Sequence, residues 1–395
     1  MFSPFIKNFS TLTETVYHII IEIAKYIFKY LVTPFKIAYN KKKRWISWKE
    51  VGATMKLIQN EQFKIAVEIT GCNGIEFPFY TSEIIDCNNL EILHAILTCG
   101  TPSQFISQWH HEKRTQEFIS KISMFETNLN SSDGYLIKSP ETEFLDASEK
   151  SVNAYYLGLI FTKLFSMKKF EIDYFLHTTL FEQVYGSESF TCNGRKKPAF
   201  VGYNIANDQW SIWESTGKRD HAPKALDDAY NQVLAIRDIN GKAPSYAMAC
   251  MTYFDTKHGE LQGILRNATS GKKASIHFDK ELFYNLYYRH ICEIFDESLR
   301  RKPFDSVIDY IDGYLEIELE LFGIDTAGTN KDESFQKRRI KLGVPKDILG
   351  YFQYNRGHFS EENSLTSIVE SLNVQQDIQD KNFFMGRDGI YFRII

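Results

Sequence analysis

A chain of 395 residues with 43% hydrophobic residues can bury a thick core, which excludes a disordered protein and allows two or three domains. Its formal net charge of −4 excludes a uniformly basic nucleic-acid binder, but not a local basic groove. The six cysteines (Cys72, Cys87, Cys99, Cys192, Cys250 and Cys292) form no Cys-x-x-Cys pair. They predict neither a zinc site nor a disulfide framework, and a reducing cytoplasm is the expected setting. Neither Gly-x-Gly-x-x-Gly nor a P-loop pattern occurs, so nucleotide hydrolysis has no support.

Residues 12–33 are rich in Ile, Phe, Leu and Val, but His18, Glu22, Lys25 and Lys29 fall on one helical stripe. Lysine at a bilayer centre costs roughly 2.5–3.5 kcal/mol, so a spanning helix is disfavoured. Pro34 ends or kinks this helix, and Lys41, Lys42, Lys43, Arg44, Trp45 and Trp48 follow. Two readings stay open: peripheral membrane contact through residues 12–48, or a helix packed in its own domain or an oligomer contact.

Further along, Phe63–Ile69 alternates apolar and polar residues and predicts a strand. Leu90–Thr98 and Ser103–Met124 predict helices, and Asn128–Gly134 a polar loop with an exposed connection over 135–150. Residues 151–185 read as helical, with Gly186 as C-cap. Two short apolar runs around 199–214 read as paired strands. Ala222–Ile239 reads as a helix closed by Asn240-Gly241, with Pro223 in its first turn. Ser245–Phe254 and Gly259–Leu265 follow as strands. Residues 276–323 read as helical, 324–345 as charged and mobile, and 389–395 as a strand or buried tail. The expected domains are a mostly helical 1–150, a core over 151–275 and a helical 276–395. The fold class is α/β (α+β): a short mixed sheet flanked by helices.

The sequence with the most chemical content is Lys197-Pro198-Ala199-Phe200-Val201-Gly202-Tyr203, followed by Trp210-Ser211-Ile212-Trp213-Glu214-Ser215-Thr216-Gly217-Lys218-Arg219. It resembles the PD-(D/E)xK nuclease superfamily, whose fold is restriction-endonuclease-like, over roughly residues 170–265. The resemblance implies a metal-dependent nuclease acting on DNA or RNA with Mg²⁺ or Mn²⁺, in bacterial defence against phage. In that family an Asp opens one strand, a Glu closes its neighbour, and a Lys two residues after the Glu counters developing charge. Glu214 matches the Glu. Ala199 stands in the Asp position and Thr216 in the Lys position. Gln232 matches a site-facing Gln on the following helix, and Glu182 falls where some relatives supply another acidic metal ligand.

The departures leave three readings. The chain is a pseudo-nuclease that serves as a nucleic-acid, protein or membrane-surface module. Or an Asp was replaced at position 199. Or the site migrated, with Lys218 or Lys224 standing in for the Lys and Glu182 for the Asp. Arg195, Lys196, Lys197 and Arg219 are the expected nucleic-acid-binding residues, since both cation groups flank one predicted sheet edge. A protein partner or homo-oligomer is a further expectation. The basic run Lys337, Arg338, Arg339 and Lys341 reads as a surface element or a second nucleic-acid contact.

Overall fold

The computed structural model describes residues 61–71, 80–99, 112–185, 197–268, 274–301, 311–324, 335–354, 364–372, 378–380 and 382–395. The chain divides into Met1–Val51 and Gly52–Ile395, and every described residue lies in the second unit. The expected helix over 12–33 and its basic turn lie outside the described residues. Among the described residues no helix is long and apolar enough to cross a membrane.

The protein is a mixed α/β structure. Strands β1 (Gln62–Thr70) and β2 (Tyr80–Asn88) pair antiparallel over their full length. Helix α1 (Asn89–Thr98) starts in a capping box made by Asn88 and Glu91, and α2 (Glu112–Asn128) runs into a hairpin of β3 (Leu129–Ser132) and β4 (Tyr135–Lys138). A 3₁₀ turn, Pro140–Phe144, precedes α3 (Ala147–Phe170), which is capped by Asp146 and Glu149. Then come β5 (Tyr174–His177), α4 (Thr178–Tyr185), β6 (Phe200–Asn204), β7 (Gln209–Gly217), α5 (Pro223–Val233), β8 (Ile236–Ile239), β9 (Ala247–Phe254) and β10 (Leu261–Asn267). Strand β8 pairs with β11 (Ala274–Ile276).

The large sheet follows the order β3-β4-β1-β10-β9-β7-β6-β5, with β2 added alongside β1. Strands β5, β6 and β7 form an antiparallel meander, whereas β9 lies parallel to β7 and is reached through α5, the crossover a parallel pair requires. Paired residues share a face, so the register sorts the side chains. One face carries Trp213 and Ser215 and takes α3: Trp213 packs on Phe170, and Thr162 donates to Ser215 Oγ at 2.9 Å. The opposite face carries Trp210, Ile212, Glu214 and Thr216. It takes α5 through the buried Leu226, Ala229 and Val233, and it takes α6 (Lys280–Arg301), whose Phe283, Tyr284 and Tyr287 meet Tyr203, Trp210 and Tyr174.

The expected boundary near 150 falls inside this sheet. Residues 62–138 supply four of its strands, so the 1–150 stretch is not a separate helical domain over its described part. The polar stretch at 128–138 is the β3–β4 hairpin, because Asp133 and Gly134 take the positive φ angles (53° and 81°) a tight turn demands. The helical reading of 151–185 is interrupted. Glu171 closes α3 in a left-handed conformation at φ 53°, and the next four residues form the fully buried strand β5. A strand buried on both faces loses the alternation that would have marked it. Likewise α5 stops at Val233, and Ile236–Ile239 is a strand.

The C-terminal region is not helical throughout. Strands β12 (Tyr314–Ile324), β13 (Phe335–Pro345), β14 (Ile378–Asp380), β15 (Phe383–Met385) and β16 (Tyr391–Ile394) build a second, antiparallel sheet with α7 (Lys346–Tyr354) and α8 (Leu365–Ser371). The basic run lies on β13 beside an acidic strand: Lys341 and Arg339 reach Glu318 at 3.5 and 3.4 Å. The turn before β16 is pinned to the core by the buried Asp388. That carboxylate accepts His94 Nε2 at 3.0 Å, the Tyr287 hydroxyl at 2.5 Å and the Ile390 N–H at 3.1 Å. Burial pushes the Asp388 carboxyl up, but the His94 charge and these hydrogen bonds outweigh it and hold it below the usual value.

Candidate functional site

Strands β6 and β7 pair from Asn204↔Gln209 to Phe200↔Trp213. Ala199, at the bend just before β6, donates its N–H to Glu214 Oε2 at 2.7 Å. The Asp and Glu positions of the motif are therefore immediate neighbours across two strands. Thr178, at the start of α4, holds the other side of this edge: its hydroxyl donates to the Pro198 carbonyl at 2.6 Å and its N–H to the Ala199 carbonyl at 2.9 Å.

Packing fixes the far end of β7. A Cβ on Gly217 would sit 1.6 Å from the Ala154 carbonyl oxygen, and one on Gly158 would sit 2.6 Å from the Gly217 nitrogen. Helix α3 thus meets β7 backbone to backbone. Tyr155, on this helix, is 39% exposed, and its phenol is pushed up to about 12 by burial first and then by the charges of Tyr156, Cys99 and Glu214. Glu214 is thus within electrostatic reach of Tyr155. The signal available was its place one turn before Gly158, on the helix that seats the motif's glycine.

The remaining candidates are dispersed. Thr216 is half-buried and pairs with Met251. Lys218 is exposed; its N–H donates to the Thr252 carbonyl, which continues the strand four residues past Glu214. Arg219 is exposed and ion-paired to Asp220 at 3.0 Å. With Lys138 and Lys150 it holds the Glu143 carboxyl below its usual range, the Lys138 hydrogen bond at 2.5 Å coming first. Lys224, the other stand-in for the missing Lys, is exposed. It lies two residues from the buried Leu226, about 200° around the helix. Gln232 is half-buried in the last turn of α5. Glu182 lies on α4. Arg195 and Lys196 lie outside the described residues, while Lys197 is half-buried and burial pushes its ammonium down.

One carboxylate and a methyl group do not make a site for Mg²⁺ or Mn²⁺, which take one or two carboxylates within an oxygen-rich shell. Among the described residues no group of three or more His, Cys, Asp or Glu side chains could hold a metal ion. Cys87, Cys99, Cys250 and Cys292 are buried, and burial raises their thiols, so none is poised as a nucleophile. Compared with known proteins, the chain matches no family model, no curated protein and no solved structure.

Proposed function

We propose that the chain is a restriction-endonuclease-like protein directed at nucleic-acid phosphodiesters, with a hydrolytic site one carboxylate short as written. The hydrogen bond from the Ala199 N–H to Glu214 Oε2 carries this reading. An Asp at 199 would set a second carboxylate beside Glu214, close enough for one hard cation with ligands at about 2.0–2.6 Å. The order α3-β5-α4-β6-β7-α5-β8-β9, with β7 and β9 parallel, supports the same reading. With Ala199 in place the residues present do not fit the metal. The chain as written then acts by binding, a pseudo-nuclease role that the lone Glu214 favours.

The test is Ala199→Asp assayed with Mg²⁺ or Mn²⁺ on plasmid, single-stranded DNA and RNA. The expected result is cleavage by Ala199→Asp that disappears in Ala199→Asp/Glu214→Gln. Absence of both cleavage and metal binding in Ala199→Asp would overturn the reading.

A further inference from the structure

We propose that the turn 386–389, between β15 and β16, is a proton-linked latch: protonation of Asp173 tightens it onto the β6–β7 hairpin, and ionisation loosens it. The contacts on the two sides of Asp173 carry the inference. One carboxylate oxygen accepts the Ile205 N–H at 2.8 Å, where β6 turns toward β7. The other lies 3.7 Å from Arg387 Nη1 in the turn. Beside them Asn204 Nδ2 donates to the Glu171 carbonyl at 2.9 Å, and Arg387 Nη2 donates to Glu171 Oε1 at 3.2 Å. Glu171 and Asp173, in the link from α3 to β5, therefore tie the hairpin of Ala199 and Glu214 to the C-terminal sheet.

The turn seats directly on buried charge. A Cβ on Gly386 would lie 2.6 Å from His94 Nε2 and 2.7 Å from Asp388 Oδ1, and the Tyr288 hydroxyl donates to the Asp388 carbonyl at 2.6 Å. The charges that face Asp173 are Arg387 and Asp388 of the turn and Lys163 of α3, while His94 of α1 faces Asp388. Lys163 is fully buried, and its Nζ donates to the Asp173 and Ile172 carbonyls at 2.9 and 3.4 Å. Burial pushes the Asp173 carboxyl up to about 6, outweighing the Ile205 hydrogen bond and the Arg387 and Lys163 charges, which lower it. A carboxyl raised in the closed state stabilises that state at low pH, and the contribution is lost as pH rises through about 6. Asp388, held below the ordinary 3.8, keeps its charge over this range. Lifting the turn returns Asp173 to water and to its ordinary 3.8, so opening should become about tenfold more favourable between pH 5 and 7.5.

The experiment is hydrogen exchange of the full chain by mass spectrometry, corrected for the pH dependence of intrinsic exchange. Peptides covering 383–392 and 200–209 should lose protection about tenfold from pH 5 to 7.5 in wild type. Asp173→Asn keeps an acceptor for the Ile205 N–H but cannot ionise, so its loss should be at least threefold smaller; any slope left in it belongs to His94 and Asp388. Arg387→Met removes the cation shared by Glu171 and Asp173 and should raise exchange of both peptides at least threefold at pH 7.5. A wild-type loss under threefold would overturn the latch, as would an Asp173→Asn profile within threefold of wild type. Arg387→Met that leaves 200–209 within twofold would break the link between turn and hairpin. Protection of 383–392 equal to that of β9 at every pH would also overturn the proposal, because the turn would then open only when the whole fold does.

Discussion

Gly217→Ala tests the packing that shapes the candidate site. The added methyl carbon would lie 1.6 Å from the Ala154 carbonyl oxygen and 3.0 Å from the Gly158 nitrogen, and these backbone atoms cannot rotate away. Ordinary contact requires α3 and β7 to separate by about 1.5–2 Å. Overpacking of this kind costs about 1–3 kcal/mol. Separation also stretches the buried Thr162–Ser215 hydrogen bond, worth about 1 kcal/mol. The expected loss is roughly 2–4 kcal/mol, read as a lower urea midpoint at unchanged m-value. Gly350→Ala is the control. That glycine is inside α7 with nothing within 4 Å of its would-be Cβ, so alanine should stabilise by about 0.5–1 kcal/mol. A Gly217→Ala midpoint within 0.5 kcal/mol of wild type would refute the backbone-to-backbone seating, and with it the reason for glycine here.

Asp388→Asn should destabilise by about 3–5 kcal/mol at pH 7, because it leaves His94 and its partners without the buried carboxylate. Since the Asp388 pKa is lowered in the fold, its contribution is present above the ordinary carboxylate value of 3.8 and fades as pH falls below it. Unfolding curves of wild type and variant that stay equally far apart at lower pH would count against this. Asp173 has the opposite sign: burial pushes its carboxyl up to about 6, against the Ile205 N–H and the Arg387 charge. Wild-type stability should therefore drop by roughly 2 kcal/mol as pH rises from 4 to 6, and Asp173→Asn should remove that slope. A variant that keeps the slope would refute the assignment. Arg339→Ala and Lys341→Ala should leave oligonucleotide affinity within twofold, because both cations already face Glu318; a tenfold loss in a filter-binding titration would restore a nucleic-acid role to β13.

How much of the fold was legible depended on which physical pattern marked each element. Strand β1 alternates, with Phe63, Ile65, Val67 and Ile69 inward, and sequence periodicity located it. Strand β5 does not alternate: its four residues are all buried, and Tyr174 meets Tyr284 and Tyr287 of α6 on one face while Phe175 meets Trp213 on the other. With both faces covered, a short strand after a helix reads as more helix. The long hairpin of β12 and β13 was missed for another reason. Its charges alternate with buried Ile317, Leu319 and Ile340, but a high charge density suggests a solvated segment until the Glu row and the Arg/Lys row are seen to face each other.

The candidate site divides along the same line. Pairing across β6 and β7 was legible because two apolar runs and a polar turn admit one economical register, and that register brings positions 199 and 214 together. Lys218 and Lys224 lie near Glu214 in sequence, but both are exposed, Lys218 four residues past it along the strand and Lys224 on the side of α5 turned from the buried Leu226. In a sheet the nearest neighbours of a residue lie across the strands, at about 5 Å, closer than residues two places along at about 6.6 Å.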